Sequence, residues 1–304
     1  MQVYLPIAEV SVDAFLLLGL GGLVGFLGGL FGVGGGFLMT PALILIGIPP
    51  AVAVASGANQ IVASSISGAV SQWRKGNVDV TMGVVLLVAG VLGTGAGVLL
   101  FRLLQRAGQI DLVVQFSYVL LLGVVGAMMA VESLRAVWRR RGGARPPGRL
   151  HQHFWVHRWP LRMRFRRSKL YISAIPPATI GFLVGVLTAI MGIGGGFIMV
   201  PAMIYLFGMP TLTVVGTSQF QIVFVTAVTT LLLAATTHTV DVVLAILLII
   251  GGVIGTQIGT RLGQVLRGEY LRGLLAAMVL AMAIKLAWDL VATPLDLFSI
   301  AVGR

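Results

Sequence analysis

Gly32-Val33-Gly34-Gly35-Gly36-Phe37-Leu38-Met39-Thr40-Pro41-Ala42 returns 160 residues later as Gly192-Ile193-Gly194-Gly195-Gly196-Phe197-Ile198-Met199-Val200-Pro201-Ala202. Each copy breaks a long apolar run with glycines and then opens a short apolar segment, 36–46 in the first copy and 196–207 in the second. At 1.5 Å per residue, a helix of about a dozen residues is too short for a bilayer core of about 30 Å. Duplicated halves with glycine-broken membrane helices point to a transporter whose binding site lies between the halves.

The composition around these turns is that of a membrane protein. Of 304 residues, 58% are hydrophobic and only 10% charged, and the mean hydropathy is +1.02. A soluble chain of this length needs far more charge to cover its surface. The runs 80–100, 112–131 and 242–258 are almost free of charge, and each is close to the length that crosses a bilayer. In lipid the backbone must satisfy its own hydrogen bonds, which leaves helices or a closed barrel. Continuous rather than alternating apolar runs select helices. The first run is read as part of the structure rather than as a signal peptide, because residues 1–13 hold no Lys or Arg. Cysteine is absent, which excludes a disulfide, a thiolate metal site and a cysteine nucleophile.

Working outward from the turns, the segments match in order. The first half reads 12–31, 36–46, 51–73, 80–104 and 112–137, and the second 172–191, 196–207, 212–235, 242–266 and 271–291. Ser56 and Gln60 match Thr217 and Gln221, and Val78-Asp79 matches Val240-Asp241. Gly90, Gly93 and Thr94 match Gly252, Gly255 and Thr256. The expectation is an all-α membrane protein of two inverted repeats, each of about five helical segments, with short broken or re-entrant helices after the glycine-rich turns. Repeat 1 takes 1–137, a basic linker 138–170, and repeat 2 171–304.

The net charge of +12 belongs to one stretch: residues 135–169 hold 12 of the 21 Lys and Arg and no acidic residue. Beside membrane spans this reads as a cytoplasmic loop against anionic lipid headgroups, not as a nucleic-acid surface. With that loop inside, Arg74, Lys75, Arg261, Arg267 and Arg272 also fall inside. Pro49-Pro50 and residues 238–241 then fall outside, as do both termini; Arg102 and Arg106 are the poor fit. Each half has an odd number of full crossings, so the halves are inverted. Trp155 and Trp159, set among arginines, suggest a segment lying on the inner leaflet.

A helix that starts inside the membrane presents unpaired N–H groups and the positive end of its dipole. Gly34, Gly35 and Gly36, with Gly194, Gly195 and Gly196, allow positive φ and close approach of a ligand to the backbone. Two anion-binding points without a charged side chain are the expectation. Uncharged polar residues in mid-span should face protein or water. Ser56, Asn59, Gln60, Thr217, Ser218, Gln219 and Gln221 are candidate substrate contacts, because amide and hydroxyl donors hold an oxyanion yet release it. Arg261 is a candidate for assisting the anion. Ser64, Ser67 and Ser71 fit helix-to-helix hydrogen bonding. Asp79 and Asp241, at matched helix starts, fit N-caps rather than proton coupling.

Gly21, Gly25 and Gly29 repeat as Gly181, Gly185 and Ala189, and Gly93 and Gly97 as Gly255 and Gly259. A spacing of four puts small residues on one face, where helix backbones can pack closely. No Gly-Lys-Ser/Thr follows the glycines, so an ATP loop is rejected. His151, His153 and His157 lie among arginines and are poor metal ligands. No catalytic constellation and no cofactor site is read, so an enzyme is not expected.

The doubled Gly-Gly-Gly-Phe turn with Met-x-Pro-Ala, the Gly216-Thr217-Ser218 step and the pairs Gly93-Thr94 and Gly255-Thr256 resemble the TauE/SafE sulfite exporter family. The resemblance covers both repeats, outside residues 1–11 and the central loop. It implies export of sulfite or a small organosulfonate across the inner membrane. The chain departs from the pattern at Ala55-Ser56-Gly57 and in its long Arg-rich loop. The reading is thus a secondary transporter whose two repeats alternate access to a midplane site. The rivals are a small-anion channel, and a membrane scaffold or lipid sensor built on the basic loop.

Overall fold

The computed structural model describes residues 2–31, 34–141, 162–165, 167–168, 170–262 and 268–291. Strands β1 (Gln2–Leu5) and β2 (Val10–Asp13) form an antiparallel hairpin. Helices α1 (Ala14–Phe31), α2 (Gly36–Leu45), α3 (Pro50–Arg74), α4 (Val80–Arg106) and α5 (Ile110–Arg141) follow. The order then repeats: β3 (Arg162–Phe165) and β4 (Leu170–Ser173) pair as a second antiparallel hairpin. After it come α6 (Ile175–Met191), α7 (Gly196–Tyr205), α8 (Thr211–Thr237), α9 (Val242–Leu262) and α10 (Gly268–Val291). Five stretches, Ala14–Phe31, Val80–Arg106, Ile110–Met128, Leu212–Thr237 and Val242–Leu262, are long and apolar enough to cross a membrane. The two helices after the glycine turns have 10 residues each, about 15 Å of helix.

The helices are inside out relative to a soluble bundle. On α4, Gly83, Gly90, Gly93, Thr94 and Gly97 are buried, while Val88, Leu92, Leu99 and Leu103 are exposed. Large apolar side chains outside and small ones inside are what a lipid-facing helix needs. The small faces seat each helix against the opposite repeat: α1 lies along α9, and α6 along α4. A Cβ on Gly25 would stand 2.2 Å from the Gly252 carbonyl oxygen, and one on Gly185 2.1 Å from that of Gly90. The Thr256 hydroxyl donates to the Gly25 carbonyl at 3.1 Å, and the Thr94 hydroxyl to Gly185 at 3.5 Å. The glycine and threonine repeats therefore build helix contacts, as their spacing predicts.

At the centre α3 packs on α8. Asp79 caps α4, its carboxylate accepting from Met82 N–H at 3.2 Å, and Asp241 caps α9, accepting from Leu244 N–H at 3.1 Å. Each aspartate is also tied to the opposite repeat. The Asp79 N–H donates to Thr217 Oγ1 at 3.0 Å, near the start of α8, and the Asp241 N–H to Ser56 Oγ at 2.9 Å, near the start of α3. Asp79 follows the end of α3 and Asp241 follows the end of α8, so the two helices run antiparallel.

The hairpins are an addition to the expected helices. Hairpin β3–β4 occupies part of the stretch assigned to the linker 138–170, and α5 enters it from the other side as far as Arg141. Apolar residues set among the arginines hold it to the helices: Phe165 and Ile172 are buried, while Met163 and Tyr171 are exposed. The Asp79 carboxylate accepts from the Ser168 N–H at 2.9 Å and the Ser168 hydroxyl at 2.7 Å. The Asp241 carboxylate accepts from the Ile7 N–H in the turn of hairpin β1–β2 at 3.0 Å. Each hairpin is thus fastened to the capping aspartate of the other half. The candidate inner-leaflet segment at Trp155 and Trp159, and His151, His153 and His157, lie outside the described residues.

Candidate functional site

Both glycine turns take the left-handed backbone that glycine accepts without strain. Gly34 and Gly35 have φ of 82° and 74°, and Gly194 and Gly195 73° and 76°. Gly35 and Gly195 then serve as N-caps of α2 and α7, with no side-chain hydrogen bond to the helix starts. The first N–H groups of such a helix have no intrahelical partner, and the dipole leaves them electropositive.

The two turns meet. A Cβ on Gly36 would lie 2.5 Å from the Ile193 carbonyl oxygen of the other turn. One residue on, Phe37 and Phe197 stack with ring centroids 4.2 Å apart and planes within 10°. Around them stand Ile61 of α3 and Ile222 of α8, both fully buried. Cβ atoms on Gly34 and Gly194 would fall within 4 Å of both isoleucines. The meeting point is closed by apolar side chains.

Polar groups flank this plug. Gln60 and Gln221, each beside one of the isoleucines in sequence, are fully buried, and neither amide nitrogen nor oxygen has a hydrogen-bond partner among the described residues. Gln60 lies against Gly252 of α9, and Gln221 against Gly90 of α4, so the two amides occupy matched positions facing opposite repeats. An unpartnered buried amide costs about 1–3 kcal/mol, and two at matched places mark somewhere a polar ligand or water belongs. Ser65 is a third: its hydroxyl is fully buried and unpartnered, 3.1 Å from where a Gly34 Cβ would sit. The neighbouring Ser64 hydroxyl donates to the Gly34 carbonyl at 3.3 Å, so this member of the serine stripe fixes a turn.

The other candidates from the sequence are placed differently. Ser56 and Thr217 use their hydroxyl oxygens on the backbones of Asp241 and Asp79. Asn59 turns back on its own helix, donating to the Ala55 carbonyl at 3.2 Å, and the Ser218 hydroxyl does the same to Val215 at 3.1 Å. Gln219 is buried against Gly68 of α3, with its Oε1 unpartnered, on a different side of α8 from Gln221. Arg261 is exposed at the end of α9. The sequence reading missed Ile61, Ile222 and Ser65. Their only signal is one of adjacency and register: Ile61 and Ile222 follow the matched glutamines at Gln60 and Gln221.

Two matched sets of helices, two broken helices meeting in the bundle and lipid-facing apolar surfaces define an integral membrane protein of the internally repeated, broken-helix class. Within that class, the chain belongs to the sulfite exporter TauE/SafE family, which it matches over residues 17–286. It is 32% identical over 238 residues to a probable membrane transporter protein of Xylella fastidiosa (strain 9a5c), covering 78% of this chain and 79% of that one. It is 27% identical over 275 residues to the probable membrane transporter protein YjnA of Bacillus subtilis (strain 168), covering 90% of this chain and 98% of the relative. The probable membrane transporter protein YunE of the same organism is 27% identical over 222 residues, covering 70% and 75%. No solved structure matches the chain.

Proposed function

We propose that the protein is a secondary transporter that exports a small sulfur oxyanion, sulfite or an organosulfonate, across the inner membrane. The observation that carries this reading is the matched pair Gln60 and Gln221, fully buried and without hydrogen-bond partners among the described residues, each one residue before an isoleucine that packs on the glycine turns. Four amide N–H donors and two helix N-termini suit a ligand made of acceptor oxygens. Without a fixed cation the anion is held by donors and dipoles, and it is released when they separate.

The two repeats rock about the turns, exposing the site to one face and then the other. The antiparallel run of α3 and α8 supports an inverted relation between the halves. In this arrangement the Arg-rich stretch lies on the cytoplasmic side against anionic headgroups, and both termini lie outside. Arg261, exposed near one mouth, draws anions toward the entrance without holding them. Export of an anion from a negative-inside cell runs downhill electrically, about 2.3 kcal/mol per charge for each 100 mV. Sulfite efflux from proteoliposomes holding the purified protein should saturate with internal sulfite. Flux that rises linearly without saturation would make the protein a channel instead.

A further inference from the structure

We infer that Ile61 and Ile222 set the size of the transported anion, so that the site takes a bare oxyanion such as sulfite and rejects one carrying an organic group. The inference rests on the transport reading above and narrows its substrate. The two side chains fill the space that the helix starts and the unpartnered Ser65 hydroxyl enclose. A Cβ added to Gly36 would lie 2.2 Å from Ile61 Cδ1, and one added to Gly194 2.7 Å from Ile61 Cγ2. From the other side Ile222 Cδ1 stands 3.8 Å from the Gly34 position, and its Cγ2 3.3 Å from the Gly194 position. At Gly36 and Gly194 even one added methyl group would collide with Ile61.

The Ser65 hydroxyl is the second sign of a ligand here. It is fully buried, has no partner among the described residues and reaches the Gly34 turn. Left dry it is a standing cost; with an oxyanion at the turn it becomes a donor.

An anion reaches the turns only where an isoleucine arm withdraws. Isoleucine is branched at Cβ and stiff at its first torsion, so it moves between a few discrete positions. The space released is that of a few methyl groups. Sulfite is pyramidal: three oxygens face the donors, and its fourth position is a lone pair. A sulfonate carries a carbon chain in that fourth position. The chain would have to enter the volume of Ile61 Cδ1 or of the stacked Phe37 and Phe197 rings. One methylene too many in an apolar pocket discriminates by about 10–200-fold, and ethanesulfonate adds two carbons.

The test measures sulfite efflux from proteoliposomes in competition with ethanesulfonate, for the wild type and for Ile61→Ala, Ile222→Ala and the double variant. In the wild type ethanesulfonate should compete at least tenfold more weakly than sulfite itself. The alanine variants should narrow that ratio tenfold or more, and the milder Ile61→Val and Ile222→Val should fall between. Should the alanine variants fail to fold, the wild-type ratio and the valine series decide the matter alone. Equal competition by ethanesulfonate in the wild type, or a ratio unmoved across folded variants, overturns the size filter and leaves transport standing. A folded wild type with no sulfite flux overturns the transport reading itself.

Discussion

Gln60 and Gln221 are costly for the fold, and under the proposed function that cost is met by the substrate. Each sits fully buried against a glycine of the opposite repeat, with both amide atoms unpartnered among the described residues. Removing a buried polar group that has no partner relieves its desolvation cost. Gln60→Leu or Gln221→Leu should therefore raise the unfolding free energy by about 1–3 kcal/mol in the absence of ligand, read as a higher melting temperature in detergent. A lower one would mean that the amides are satisfied and structural. The glycines cannot be tested so cleanly. A Cβ at Gly35 would stand 2.8 Å from the Val24 carbonyl oxygen, and one at Gly195 2.2 Å from Val184 Cγ1, in addition to the left-handed backbone. Any side chain there strains the fold, so a loss of transport would not separate the two causes. Glycine and glutamine were legible because both are out of place in an apolar span. Ile61 and Ile222 were not, because isoleucine among apolar neighbours looks the same whether it faces lipid, core or ligand.

At the scale of the elements, the two aspartate caps do more than start helices. Asp79 holds β3–β4 through Ser168, and Asp241 holds β1–β2 through Ile7, each hairpin being joined in sequence to the opposite half. The capping role was readable from the repeat of Val78-Asp79 as Val240-Asp241. The hairpins were not: each strand has only 4 residues, and the second hairpin lies in an arginine-rich stretch with no clear alternation of buried and exposed positions. Losing an N-cap side chain costs about 0.5–2 kcal/mol, and here the hairpin's tether is lost with it. Asp79→Ala should expose residues 162–173 to limited proteolysis and faster amide exchange while leaving residues 2–13 protected. Asp241→Ala should do the reverse. If each substitution loosened the hairpin of its own half, or neither, the swapped fastening would be wrong.

For the molecule as a whole, the duplication predicted most of what the structure contains: the order of the helices, the two short ones after the glycines, and the small-residue faces. It did not say which helix packs on which. That α1 lies along α9 and α6 along α4 follows only once glycines such as Gly25 and Gly252, or Gly185 and Gly90, are seen backbone to backbone. Spacing names a sticky face but not its partner. The absence of cysteine gives a direct route to orientation. Tyr4→Cys in the first hairpin and Met163→Cys in the second replace exposed residues, 60% and 38% accessible. Inverted repeats require an impermeant thiol reagent to label the two from opposite sides, and the proposed orientation expects the first to label in intact cells and the second only after permeabilisation. Labelling of both from one side would contradict the inversion.

The proposed site between the halves is tested most directly by sulfite efflux from proteoliposomes holding the double variant Gln60→Leu/Gln221→Leu. The expected result is a folded protein at least as heat-stable as the wild type, with saturable efflux reduced at least tenfold. Efflux at the wild-type rate and half-saturation would contradict a site built on the two buried amides.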